Sequence, residues 1–130
     1  MTIPFYCVLF AFLLIPLTKV PVGVAMAKVG RGYDNKNPRD QQAQLTGWGR
    51  RALGAHHNMI EAFPGFAAGV LIAHAGGADP QRSTMLAVTF VIARLLYPAL
   101  YIANIDKARS LVWSVGILAS IGLMVLPALG

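Results

Sequence analysis

Ionisable and hydrogen-bonding side chains occur where this chain is otherwise apolar. The segment RRALGAHHNMIEAFP, residues 50–64, places two arginines, two histidines, an asparagine and a glutamate directly before a long apolar tract. Such groups can bind anions, move protons or bond to one another, and inside a membrane they are functional candidates by default. Their spacing decides which of them share one surface of a helix.

Helical periodicity divides this segment into two faces, because residues three, four and seven apart lie on one side of an α-helix. The stripe on the second predicted helix mixes small and polar residues: Gly47, Arg51, Gly54, Asn58, Glu61, Gly65 and Gly69. Small residues let helices approach closely and polar side chains bond between them. The stripe should therefore face protein, with His56 roughly opposite it and His57 near its edge.

The next two predicted helices carry a second polar surface. Arg94, Tyr97 and Tyr101 share one face of the third helix, and Arg109 and Ser110 begin the fourth. A guanidinium and two phenols on a membrane-spanning helix are costly unless that face is covered by protein or wet. A cation at a helix start opposes the helix dipole, so Arg109 does not serve helix stability.

The spacing leaves two interpretations of these residues open. Arg51, Asn58 and Glu61 could form a structural network that fixes helix packing, or they could line a ligand site. Arg94 could pair with Glu61, and the two tyrosines could belong to an interfacial aromatic belt. His57 and Glu61 have the i,i+4 spacing of a metal pair, but no third ligand of suitable type follows, so no metal site is predicted.

The composition places these polar groups in a membrane protein. Of 130 residues, 56% are hydrophobic and 12% are charged, the latter about half the soluble norm. A helix crosses a bilayer with about 20 mostly apolar residues. The sequence predicts one membrane domain, residues 1–130, with helices near 3–29, 44–76, 81–104 and 107–128 and a polar cytoplasmic loop at 30–43. Short connections make this an all-α bundle of four transmembrane helices.

Prolines mark details of this bundle. Asp79 and Pro80 stand where the third helix is expected to start. Pro16 and Pro21 are expected to bend the first helix without ending it, since tertiary contacts can satisfy the freed backbone groups in a membrane.

The distribution of basic residues predicts the orientation. The net charge is +6, and the basic residues concentrate between helices one and two and between helices three and four. The remaining connection holds only Arg82. Because cytoplasmic loops collect Lys and Arg, both chain ends are expected on the outer side, and the charge implies no nucleic-acid partner. The polar surfaces then converge on one expected cavity in the cytoplasmic half.

Two segments resemble a known family. RALGAHHNMIEAFPGFAAGVL and ARLLYPALYIANIDKARSLVW, with the loop YDNKNPR, resemble the membrane-associated proteins in eicosanoid and glutathione metabolism, the MAPEG family, in the style of its small bacterial members. The motifs are Asn-x-x-Glu with a following proline, and Arg-x-x-Tyr-x-x-x-Tyr followed by Arg-Ser. The resemblance implies a homotrimer of four-helix subunits in the bacterial inner membrane, with both termini periplasmic and glutathione held between subunits.

The resemblance also implies roles for individual residues. Arg109 matches the arginine that activates the thiol of glutathione, and Ser110 a neighbouring serine implicated in some members. The positions that match glutathione contacts or basic motif positions are Arg51, His56, Asn58, Glu61, Arg94, Tyr97 and Tyr101. The implied function is a membrane-bound glutathione transferase or peroxidase for lipophilic electrophiles, with glutathione as co-substrate, membrane lipid around it and no metal.

Two departures from the family pattern keep other functions open. Gly54 stands where several glutathione-using members carry an arginine, and His57 replaces an arginine of one branch. Because charge-assisted bonds are the strong ones, these losses would weaken the hold on a carboxylate-bearing tripeptide. The alternative is a non-catalytic membrane protein that binds a lipid or another small lipophilic ligand. A third reading is that the polar stripes only hold a trimer together.

Overall fold

The computed structural model describes residues 1–130 and contains only helices. In chain order they are α1 Ile3–Ala27, α2 Pro38–Ala43, α3 Gly47–Ala75, α4 Pro80–Ile102, α5 Asp106–Val125 and a 3-10 helix, Leu126–Leu129. The predicted loop 30–43 therefore contains a short helix. Pro38 begins α2, because the fixed φ of proline suits a first helical position.

Three of the long helices are long and apolar enough to cross a membrane: Ile3–Ala27, Pro80–Ile102 and Asp106–Leu129. Helix α3 has 29 residues, but its first half carries the arginines, histidines, Asn58 and Glu61. The exterior of the chain is apolar, with side chains such as Leu13, Leu95 and Leu118 exposed. Extensive exposed apolar surface is unusual for a monomer in water and suits contact with lipid. Hydropathy thus identifies three of the four predicted spans.

Helix α3 is the centre of the bundle and contacts α1, α4 and α5. Phe66 of α3 stacks on Phe90 of α4 with ring centroids 3.8 Å apart, and both rings are buried. Helix α5 approaches α3 at Gly69, where a Cβ atom would lie 2.9 Å from the carbonyl oxygen of Ser120. Gly69 of the α3 stripe therefore faces protein, as the sequence predicts, whereas Gly65 has no neighbour within 4 Å of a Cβ position.

The start of α4 and the continuity of α1 agree with the prediction. The Asp79 side chain caps α4 by accepting the backbone N–H of Arg82 at 2.7 Å, and Pro80 occupies the first helical position. Helix α1 continues through Pro16 and Pro21 without a break.

The tight turns after α3 and α4 share one backbone motif. Asn104, with φ 63°, donates its N–H to the carbonyl of Tyr101 at 3.0 Å, and Ile105 donates to Leu100 at 2.9 Å. This is a Schellman motif, whose left-handed residue is usually glycine and sometimes asparagine. Gly77 closes α3 in the same way. The turn at Asn104 brings the start of α5 next to the end of α4.

A buried glutamine holds the connection between α1 and α3. The side-chain amide of Gln41 donates to the carbonyls of Met26 and Gly32, at 3.2 and 2.8 Å, and its oxygen accepts the N–H of Asp34 at 2.9 Å. These bonds join the last turn of α1, where the Met26 carbonyl also accepts the N–H of Val29, to the loop that follows it. No sequence pattern singles out this residue.

Replacing Gly69 by alanine should destabilise the protein, because the new Cβ would also lie 3.1 Å from the Cβ of Leu123. Overpacking of this kind costs about 1–3 kcal/mol, so the thermal denaturation midpoint in detergent should fall. Gly23→Ala is the control, since the nearest atom to its Cβ, in Tyr33, lies 4.0 Å away. Equal midpoints for the two variants would contradict the close packing of α3 on α5.

Candidate functional site

Arg94 of α4 is the one buried Lys, Arg, Asp or Glu, with 2% of its surface exposed. Its Nη1 donates to Oδ1 of Asn58 at 2.8 Å, its Nε lies 3.4 Å from Sδ of Met59, and its guanidinium lies 4.4 Å from the centroid of the Tyr97 ring. Its Nη2 is buried without a partner. A buried donor left unsatisfied costs about 1–3 kcal/mol, so this guanidinium can accommodate one more acceptor.

The predicted direct pair between Arg94 and Glu61 does not form. Asn58 lies between them, accepting from Arg94 while its Nδ2 lies 3.5 Å from Oε2 of Glu61. Asn58 faces α4, whereas Glu61 is exposed at the surface of the single chain. The carboxylate of Glu61 thus remains open to a partner from outside this chain.

The predicted single cavity is instead a row of adjoining clefts along α3, α4 and α5. The cleft that we name the Arg94 cleft has a volume of about 180 Å³ and contains Asn58, Glu61 and Arg94. It ends at Trp113, which is also part of the next cleft. In a single chain the polar groups therefore lie along an open surface, because no other helix covers the clefts.

The Arg109 cleft has a volume of about 460 Å³ and is lined by Tyr97, Tyr101, Arg109, Ser110 and residues of the next helical turn. The guanidinium of Arg109 lies 4.4 Å from the centroid of the Tyr101 ring. The Tyr97 and Tyr101 rings meet edge to face, with centroids 5.8 Å apart. A cation held over an aromatic face is stabilised by about 0.5–1 kcal/mol at an exposed site, so Tyr101 orients Arg109.

The Arg51 cleft has a volume of about 250 Å³ and is lined by Arg50, Arg51, His57 and Tyr101, without any carboxylate. The Nε of Arg51 donates to the carbonyl of Ile102 at 3.0 Å. That carbonyl belongs to the last turn of α4, where helical carbonyls lack partners. The bond ties the start of α3 to the end of α4 and fixes a guanidinium at the cleft, which therefore suits an anionic group.

His56 lies away from the other predicted residues. It is buried, and its Nδ1 lies 3.0 Å from Oγ1 of Thr18 on α1. The Thr18 hydroxyl already donates to the carbonyl of Ile15 at 2.9 Å, so the imidazole must donate to the hydroxyl. The structure gives His56 a packing contact between α1 and α3, consistent with its place opposite the polar stripe, and does not bring it to the clefts.

The structure thus brings eight of the nine predicted residues to these adjoining clefts. Further polar or aromatic residues that line them include Arg50, His57 and Trp113. Trp113 stands one helical turn after Arg109, which is a signal that spacing could have supplied. No group of three or more His, Cys, Asp or Glu residues could hold a metal.

Together, the helices and clefts define a small helical membrane protein with a surface groove rich in Arg and Tyr. The chain belongs to the MAPEG family, whose sequence profile matches residues 3–129. This is a family of membrane proteins that includes glutathione transferases, glutathione peroxidases and non-catalytic members. Searches of curated proteins and of solved structures returned no match to the chain.

Replacing Asn58 by alanine should destabilise the ligand-free protein by about 1–3 kcal/mol, because Nη1 of Arg94 would lose its oxygen acceptor while Nη2 already has none. The measurement is thermal denaturation in detergent. Glu61→Gln keeps the contact between Asn58 and Arg94 and should leave the midpoint unchanged. If Asn58→Ala lowers the midpoint equally in an Arg94→Met background, the contact between Asn58 and Arg94 is not the cause.

Proposed function

We propose that the protein is a membrane-bound glutathione-dependent transferase, or peroxidase, that acts on lipophilic electrophiles. The observation that carries the proposal is Arg109, held over Tyr101 at the open Arg109 cleft. Family membership supports it, because the family includes glutathione transferases and peroxidases.

The clefts suit different parts of glutathione. A carboxylate of the tripeptide would bind in the Arg51 cleft, since charge-assisted bonds to guanidinium are strong. The exposed carboxylate of Glu61 would take the amino group, and Asn58 would bond to the peptide amides. The unpartnered Nη2 of Arg94 would donate to a further oxygen of the ligand. The thiol would then lie in the Arg109 cleft.

Arg109 would act on the protonation of that thiol. A free thiol has a pKa of about 8.5 and is mostly protonated at neutral pH. A nearby guanidinium favours the thiolate, which is the nucleophile, and the released proton goes to solvent. Ser110 or Tyr101 would donate a hydrogen bond to the sulfur. In conjugation the sulfur forms a bond to the electrophilic carbon, and the leaving group departs with the bonding electron pair.

The proposal includes a second copy of the chain. Glu61 is exposed on the single chain, and an acidic side chain facing the bilayer centre costs about 2.5–3.5 kcal/mol. We propose that α3, which at 29 residues is about 44 Å long, crosses the membrane as a fourth span. Its polar face would then pack against neighbouring copies in a homotrimer. The clefts would open to the cytoplasm of the bacterial inner membrane, with both termini periplasmic.

A second candidate is a non-catalytic protein that binds lipid. A groove of about 430 Å³ between α1 and α4 is lined only by apolar residues, among them Phe10, Val91 and Leu95. Such a surface suits an acyl chain, and Gly54 supplies no guanidinium to the Arg51 cleft. The two candidates differ in whether glutathione binds.

Thermal stabilisation of the detergent-purified protein by glutathione tests the proposal. A ligand that binds only the folded state raises stability by about 2.7 kcal/mol at 100 times its Kd, so the midpoint should rise with glutathione concentration. Conjugation of a generic aromatic electrophile then separates an enzyme from a binder. An unchanged midpoint at saturating glutathione would refute the glutathione site and leave the lipid-binding candidate.

Replacing Arg109 by alanine should lower conjugation by about 100-fold or more, the scale for losing one donor to a developing or reacting anion. Lys107→Ala is the matched control, because Lys107 also begins α5 but is exposed and lines none of the clefts. Both variants should retain the mass of the wild-type oligomer. Equal turnover by wild type and Arg109→Ala would remove Arg109 from the mechanism.

A further inference from the structure

Tyr101 lies against the backbone of α3 at a glycine. A Cβ atom at Gly54 would be 2.5 Å from the Tyr101 hydroxyl oxygen and 2.7 Å from its Cζ atom. Real Cβ contacts do not come this close, so no other residue can occupy position 54 while Tyr101 stays in place. Glycine inside a helix lowers its stability by about 1 kcal/mol relative to alanine. At Gly54 the close approach of Tyr101 explains why glycine is present.

The glycines of α3 differ in how closely other residues approach them. A Cβ atom at Gly65 would meet nothing within 4 Å. Gly49 and Gly69 of α3 also have close neighbours, Cβ of Ala25 at 2.8 Å and the carbonyl oxygen of Ser120 at 2.9 Å, but at Gly54 the neighbour is a tyrosine of the candidate site.

The Tyr101 ring is the wall between two basic clefts. It lines the Arg51 cleft on one side and the Arg109 cleft on the other. The guanidinium of Arg109 rests over the same ring, 4.4 Å from its centroid. A shift of this ring would therefore move Arg109 and change the shape of both clefts.

We propose that Gly54 is a positioning residue for Arg109. Because Gly54 has no side chain, the Tyr101 ring packs against α3, and in this position the ring orients the guanidinium and lines the Arg51 cleft. An anionic ligand in that cleft then meets Arg51, His57 and Tyr101. The effect of Gly54 on catalysis rests on the proposed function, whereas the packing of Tyr101 against Gly54 does not.

A double-mutant cycle without ligand tests whether Tyr101 packs against Gly54. Gly54→Ala should lower the thermal midpoint in the wild type, because Tyr101 must move. In a Tyr101→Ala background the same change should not lower it, since the clash is gone and alanine favours the helix. Gly23→Ala, at a half-buried helical glycine with no close neighbour, is the matched control. An equal fall of the midpoint in both backgrounds would contradict the packing of Tyr101 against Gly54.

The pH dependence of conjugation tests the effect on Arg109. If the guanidinium recedes from the thiol, the thiol pKa rises and the acid limb of the rate profile moves to higher pH. At a pH well below the thiol pKa, a rise of one pKa unit lowers the thiolate fraction about tenfold, and this loss should be recovered at alkaline pH. A defect of packing alone would lower stability without moving the limb.

The outcomes separate the two proposals. A Gly54→Ala profile that coincides with those of wild type and Gly23→Ala would overturn the positioning role, even if Tyr101 packs against Gly54. A wild type without any glutathione turnover would refute the proposed function and the pH effect together. The double-mutant cycle without ligand would still decide whether Tyr101 packs against Gly54.

Discussion

A buried guanidinium sets the arrangement of the central helices. Arg94 has 2% of its surface exposed, and a charge in such a position is tolerated only when nearly every donor has a partner. Its partners come from both sides of one helix interface: Asn58 and Met59 on α3, and the ring of Tyr97 on α4. The stacked Phe66 and Phe90 rings lie between the same two helices. Sliding or rotating α3 against α4 would separate Arg94 from Asn58, so the polar contact fixes a register that apolar packing alone specifies less sharply.

The Arg51 and Arg109 clefts form where helices start and end. Helix α4 ends in the turn at Asn104, whose backbone bonds place the start of α5 beside it. The last carbonyls of a helix need outside donors, and Arg51 supplies one at Ile102. One arginine thereby closes a helix end and stands at the edge of a cleft. The surfaces that need polar groups for structural reasons are thus the surfaces that can hold a polar ligand.

The sequence predicts the residue types and faces well and their connections less well. Helical spacing places Arg51, Asn58 and Glu61 on one stripe, and the structure brings them to adjoining clefts. Spacing does not show that Asn58 would come between Arg94 and Glu61, because that depends on the rotation of α3 relative to α4. Hydropathy identifies three spans and not the predicted fourth, because the polar groups in the first half of α3 lower its mean hydropathy. The role of Gln41 depends on a loop path that no local pattern encodes.

Two features of the single chain point to the same incomplete surface. Nη2 of Arg94 lacks an acceptor, and the carboxylate of Glu61 is exposed one helical turn from Asn58, the partner of Arg94. An unsatisfied donor and an uncovered anion in or near a bilayer each carry a free-energy cost. Both costs are relieved by a partner that offers acceptors to Arg94 and donors to Glu61. A peptide ligand with carboxylates and an amino group has both, and so does the polar face of another copy. The oligomer and the ligand are therefore linked proposals, since each would complete the same polar surface.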